Sequence, residues 1–293
     1  MLQTMNDRAN RALETPGAVN GEICDSRRHL FIFGSGLAAM FLFATGILSQ
    51  TRTPTPSPGV PYSTMSPTPT AEDLARGRTI LDRAADAMGG EGLIDRMRTL
   101  VIESTTHRMT VNGNVEFKEK TNIAFPFSFR QDTVFGGKTL SLILTSDGGY
   151  LVGPLGSTDM PEDQRRSAEL TVFRNPVALL KTRRLANFRA WAYVPPTGGK
   201  PSEVIVEVPG DTSRLYVDPD GRIIALAFDA FGGEPQRRGT VKMHFSKYRK
   251  FKSLSYPTEI KGEFDGKPSF QGVVESCRYD GPIPPDTFSP TRH

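Results

Sequence analysis

The sequence predicts an α+β protein, mostly antiparallel β: a strongly curved sheet or incomplete β-barrel of about ten or eleven strands, covered by helices and preceded by one transmembrane helix. Three observations carry this expectation. Residues 30–48 form an apolar run without a charge, residues 51–70 are dominated by Pro, Thr and Ser, and from Arg98 onward apolar residues recur mainly with a period of two between glycine-bearing turns. Alternation of that kind is the mark of strands with one buried face, and so many strands exceed what a flat sheet carries comfortably.

The apolar run LFIFGSGLAAMFLFATGIL has the length of a membrane-spanning helix, since about 20 residues rising ~1.5 Å each cross a hydrocarbon core of about 30 Å. Arg27 and Arg28 abut it. Basic flanks stay in the cytoplasm, so residues 1–29 are expected to be a cytoplasmic tail, residues 30–50 a signal anchor, and the remainder extracytoplasmic. Ala44-Thr45-Gly46 offers small residues for cleavage, but the run is longer than a signal-peptide core and the retained anchor is the expectation. Residues 51–70 then act as an extended spacer, because proline fixes φ and removes hydrogen-bond donors. Residues 71–293 suffice for one domain with its own core.

With 36 Lys and Arg against 32 Asp and Glu, the chain is only mildly basic and its densest basic groups, 181–184 and 247–252, are short and separate. A nucleic-acid surface is not expected. Cys24 and Cys277 fall on opposite sides of the expected membrane span, so no disulfide is expected within the domain.

Thr70 and Asp73 form a capping-box pattern, followed by Leu74, Ile80, Leu81, Ala84, Ala85 and Met88 at helical spacing up to Gly89-Gly90. A short helix over 91–97 follows. Strands are expected over 100–110 and 115–125 around the Asn112-Gly113 turn, then over 127–134, 139–147 and 150–153. Residues 161–185 read as two helices, the second opened by Asn175-Pro176. Strands resume over 188–194, 203–208, 214–218, 222–230, 240–248, 256–265 and 269–279, with Asp220-Gly221 and Asp265-Gly266 as turns.

Ala84-Ala85-Asp86-Ala87-Met88-Gly89-Gly90, the hairpin Asp147-Gly148-Gly149-Tyr150 and the closing Ile283-Pro284-Pro285-Asp286-Thr287-Phe288, set in this order of hairpins and helices, resemble the outer-membrane lipoprotein carrier (LolA/LolB-like) superfamily. The resemblance covers essentially residues 71–293. It implies a half-open antiparallel barrel capped by helices around a hollow that shields acyl chains, placed outside a bacterial cytoplasmic membrane. The partners it implies are the membrane, a lipid or lipoprotein acyl chain, and an envelope protein. The apparent anchor departs from the soluble carriers.

No catalytic signature stands out, and no cofactor or metal is expected: HExxH, paired cysteines at zinc spacing, a P-loop and GxSxG are all missing from the sequence. His107 and His244 sit on polar strand faces, and Cys277 reads as a small buried residue. The expected activity is therefore binding without catalysis, with an envelope-sensing or protein-interaction module as the alternative and an untyped hydrolase as a third. Phe125, Phe127, Phe129, Leu140, Leu142, Leu144, Met243 and Phe245 are the candidates to line a lipid cavity. A filled core would use the same residues, and their pattern does not choose between the two.

Overall fold

The computed structural model describes residues 68–110, 113–185, 188–194, 199–208, 211–232 and 237–290. The expected membrane anchor and most of the spacer lie outside the described residues, as does Asn112. Among the described residues no helix is long and apolar enough to cross a membrane.

Helix α1 (Ala71–Ala87) starts where its capping box places it. Thr70 Oγ1 accepts from the Asp73 amide at 3.1 Å and Asp73 Oδ2 accepts from the Thr70 amide at 3.0 Å, so first-turn donors find partners. Gly77, Ile80, Leu81, Ala84 and Ala85 form its buried stripe. Positive φ at Gly89 and Gly90 then breaks the helix and starts α2 (Glu91–Arg96).

Thirteen antiparallel strands make one sheet: β1 (Thr99–Thr110), β2 (Gly113–Ala124), β3 (Ser128–Phe135), β4 (Lys138–Leu144), β5 (Gly149–Gly153), β6 (Gly156–Asp159), β7 (Arg189–Val194), β8 (Ser202–Val208), β9 (Asp211–Val217), β10 (Ile223–Gly232), β11 (Arg237–Phe251), β12 (Leu254–Phe264) and β13 (Lys267–Tyr279). The order is β6-β5-β4-β3-β2-β1-β13-β12-β11-β10-β9-β8-β7. The expectation of ten or eleven strands was too low. Strand β6, Gly-Ser-Thr-Asp, has no apolar residue to reveal a period, and only its pairing with β5 defines it.

Register carries the core across the sheet. Tyr279, Leu100, Ile123, Phe129 and Leu144 pair in sequence over five strands, and Phe228, Val241 and Phe264 do the same over β10 to β12. All eight belong to, or pack against, the one hydrophobic cluster shared with the helices. Each large aliphatic side chain so buried contributes about 1.5–3 kcal/mol. At Gly262 the inner face has no side chain because the Phe270 ring lies over it, so that a Cβ there would stand 1.9 Å from a ring atom.

Between edge strands β6 and β7 the chain forms α3 (Glu162–Phe173) and α4 (Pro176–Thr182). Asn175 caps α4, accepting from the Val177 amide at 3.0 Å while its own amide donates to the Tyr256 hydroxyl at 3.0 Å. The closing Pro285–Phe288 turn is tied to the outer face of β3 by Arg130, whose Nη1 donates to the Thr287 carbonyl at 2.9 Å.

Helix α1 lies against β7 at a contact only glycine permits: a Cβ on Gly77 would sit 2.6 Å from the Ala190 carbonyl oxygen and the Trp191 Cα. Gly77→Ala gains about 1 kcal/mol of helix propensity, but overpacking against backbone costs more. Net destabilisation of about 1–3 kcal/mol is expected in a chemical denaturation curve, and an unchanged or raised stability would show that α1 slides freely over β7.

Candidate ligand-binding hollow

The inner face of β1 to β5 carries most of the residues expected to line a hollow. Phe129, Leu142 and Leu144 are buried there on β3 and β4, and Leu140 is half-buried beside Gly153 of β5. Met243 and Phe245 are buried on β11, in the other half of the sheet. Phe125 is half-buried against the core, with the Lys181 ammonium 5.2 Å from its ring centre. Phe127 departs from expectation: it sits in the β2–β3 turn with 71% of its surface exposed and lines nothing. The Phe-Pro-Phe sequence resembles a strand by composition, but the chain turns there.

Helix α3 crosses above this wall. Its Arg165 stem approaches Gly149 of β5, while Arg174 at its other end reaches Asp211 of β9 and the ring of Phe228 on β10. At about 1.5 Å per residue its twelve residues bridge about 18 Å. Its buried residues are Gln164, Ala168 and Thr171, none of them a large apolar side chain. The inner face of β1 to β3 carries a polar patch that sequence periodicity did not reveal. Thr106, Glu119, Gln131 and Thr133 are all buried, and the Thr106 hydroxyl donates to Glu119 at 2.9 Å. The side-chain oxygens of Gln131 and Gln164 are buried without a hydrogen-bond partner.

Arg174 is the other buried polar group that the sequence hid. With 4% of its side chain exposed, it donates from Nη2 to Asp211 Oδ1 at 3.2 Å and lies flat on Phe228, 3.5 Å from the ring centre. Its Nε and Nη1 have no hydrogen-bond partner. Burial pushes its pKa down and Asp211 opposes that shift. A cavity of about 10 Å³ adjoins it, lined by Phe173, Leu179, Phe188 and Val206 among others.

The helices are held together by Arg183, whose side chain is 3% exposed. It donates to Asp82 of α1 at 2.9 Å, to Asp95 of α2 at 2.6 Å, to Glu91 at 3.2 Å and to the Leu180 carbonyl at 2.8 Å. Arg184 also pairs with Glu91 and Asp95. Although burial of Asp95 works the other way, the two guanidinium groups hold its carboxyl below the usual carboxylate range.

His107 is exposed and faces Glu116 at 3.9 Å, whereas His244 is half-buried, its Nε2 3.4 Å from Glu263. Cys277 lies in the core, where burial pushes its thiol up to about 12 and leaves it a packing group rather than a nucleophile. Among the described residues no group of three or more His, Cys, Asp or Glu could hold a metal ion. On the outer face of the sheet lies a separate open groove of about 450 Å³, lined by Glu103, Lys118, Lys120, Arg130, Asp132 and Glu275 among others.

No protein-family model and no curated protein matches this sequence. Solved structures do match in fold. An outer-membrane lipoprotein-sorting protein domain from Vibrio parahaemolyticus superposes with a TM-score of 0.51 at 9% identity, covering 74% of this chain and 97% of its own. A LolA superfamily protein from Nitrosomonas europaea gives 0.51 at 9% identity, covering 73% and 97%. The fold is that of the LolA superfamily. A DUF1329 family protein from Desulfovibrio piger is similar as well, with a TM-score of 0.50 and 11% identity over 74% of this chain and 97% of its own.

Proposed function

We propose that this domain binds an acyl chain, without catalysis, between the inner face of β1 to β5 and the α3–α4 unit, and that residues 30–50 tether it outside a bacterial cytoplasmic membrane. The observation that carries the reading is the mismatch between wall and lid. The wall offers Phe129, Leu142 and Leu144, whereas α3 covers it with Gln164, Ala168 and Thr171. Exchanging a large aliphatic contact for alanine or threonine forfeits most of about 1.5–3 kcal/mol per side chain, so residues 164–171 of α3 are weakly held and part at little apolar cost while Arg174 anchors the far end. The naming of the similar Vibrio domain for lipoprotein sorting agrees with such a ligand. The unbroken apolar run and Arg27-Arg28 support the tether.

A fluorescent fatty-acid probe is expected to bind the full-length protein, to be displaced by lipid, and to stay bound in high salt, because apolar burial rather than long-range charge drives it. Binding that vanished with salt would move the site to a charged surface. The outer-face groove supports a second reading, a permanently filled core with a protein partner on the outside, since its Lys118, Lys120 and Arg130 alternate with Glu103, Asp132 and Glu275. Failure of a well-folded protein to bind the probe would favour it.

A further inference from the structure

Resting on the acyl-binding reading, the geometry points to a subsite at Arg174 that takes a neutral oxygen acceptor, the carbonyl of an acyl ester or amide, rather than a free carboxylate or phosphate. The guanidinium is buried and fixed from three directions. Asp211 takes Nη2, Phe228 supports the plane at 3.5 Å, and the chain holds its stem at the end of α3. Nε and Nη1 are left without acceptors inside protein, although arginine presents its donors as a rigid fork suited to oxygen. Buried donors nearly always find a partner, and one left over beside a cavity calls for an acceptor from outside the chain.

The class of that acceptor follows from charge. Asp211, itself 11% exposed and bonded by the Ser213 hydroxyl at 2.8 Å, already neutralises Arg174. A second anion would leave a net negative charge in an apolar site, which is costly, whereas a carbonyl oxygen accepts a charge-assisted hydrogen bond at no cost in charge. The adjoining cavity of about 10 Å³ suits a single oxygen atom. Its apolar lining of Phe173, Leu179, Phe188 and Val206 suits the carbon chain beside it, once α4, which brings Leu179, has shifted from β8 to admit the rest while Arg174 stays on Asp211 and Phe228.

The test is a competition on the full-length protein at pH 8 with an equimolar mixture of methyl dodecanoate, tetradecane and dodecanoate, the retained ligands being extracted and quantified by gas chromatography. Tetradecane matches the ester in chain length but has no carbonyl. The protein is expected to retain the ester over the alkane by about tenfold or more, the scale of one hydrogen bond to a charged donor. Arg174→Met should bring that ratio close to one with alkane retention intact, and Asp211→Asn, which removes the neutralising carboxylate, should turn the preference toward dodecanoate. Equal retention of ester and alkane by the unaltered protein would overturn the subsite while leaving acyl binding standing. A preference for dodecanoate in the unaltered protein would overturn the neutral class. Retention of none of the three would overturn the acyl-binding reading, and the subsite with it.

Discussion

Leu142→Asp is expected to abolish the native fold or lower its stability by more than about 4 kcal/mol, while Phe127→Asp, fifteen positions earlier in the same apolar-rich stretch, is expected to change it by less than about 0.5 kcal/mol. Both replace an apolar residue with a carboxylate, so the contrast isolates burial. Leu142 is 6% exposed on the inner face of β4, paired with Leu151 of β5 on one side and Gln131 of β3 on the other. An aspartate there loses the packed side chain and either stays charged in an apolar wall or takes up a proton to avoid it. Phe127 is mostly in solvent. Urea unfolding of the two variants decides the matter: comparable losses would mean that the turn at Phe127 packs against something, and a silent Leu142→Asp would mean that the wall is already wet.

Arg183→Met is the second large effect. The methionine keeps the apolar stem but removes the guanidinium that joins Asp82, Glu91 and Asp95, and a buried ion network broken on one side loses about 3–5 kcal/mol. Because the three carboxylates are themselves 40%, 35% and 31% exposed, water takes up part of what the arginine gave, and the lower end of that range is expected. The pH dependence gives the loss a signature. The folded-state pKa of Asp95 is depressed, so its contribution is present above the unfolded value near 4 and is lost as pH falls through the folded value. The gap between the unaltered protein and Arg183→Met should therefore narrow in acid below about pH 4, as Asp95 takes up its proton. A gap that stayed constant to pH 3 would assign the effect to lost packing instead.

What the sequence made legible was whatever depends on local chemistry. The Thr70–Asp73 cap, the Gly89-Gly90 stop, the Asn175-Pro176 start and the Asp265-Gly266 turn, whose two residues both adopt positive φ, all follow from neighbours in the chain. The alternation of Met243 and Phe245 with His244 likewise marked the inner face of β11. What stayed hidden depends on partners distant in sequence. Arg174 looks like any helix-end arginine until Asp211 and Phe228 are brought beneath it. Glu119 and Gln131 occupy inner-face positions that β2 and β3 would otherwise give to apolar residues, and only the folded sheet buries them. Phe127 misled because aromatic content signals a strand equally well on either side of a turn.

The strand order also bears on how the chain reaches this structure. Strands β1 to β6 and β7 to β13 are two meanders in which every ladder joins strands consecutive in sequence, and each can form from local hairpins. One ladder alone is non-local, the β1–β13 pairing that sets Leu100 against Tyr279 and Arg108 against Phe270. It joins strands from opposite ends of the sheet's sequence, so it carries the largest loop-closure entropy of the ladders. Until it closes, each meander exposes a long unpaired strand, β1 or β13, and these are the surfaces through which two immature copies would exchange halves.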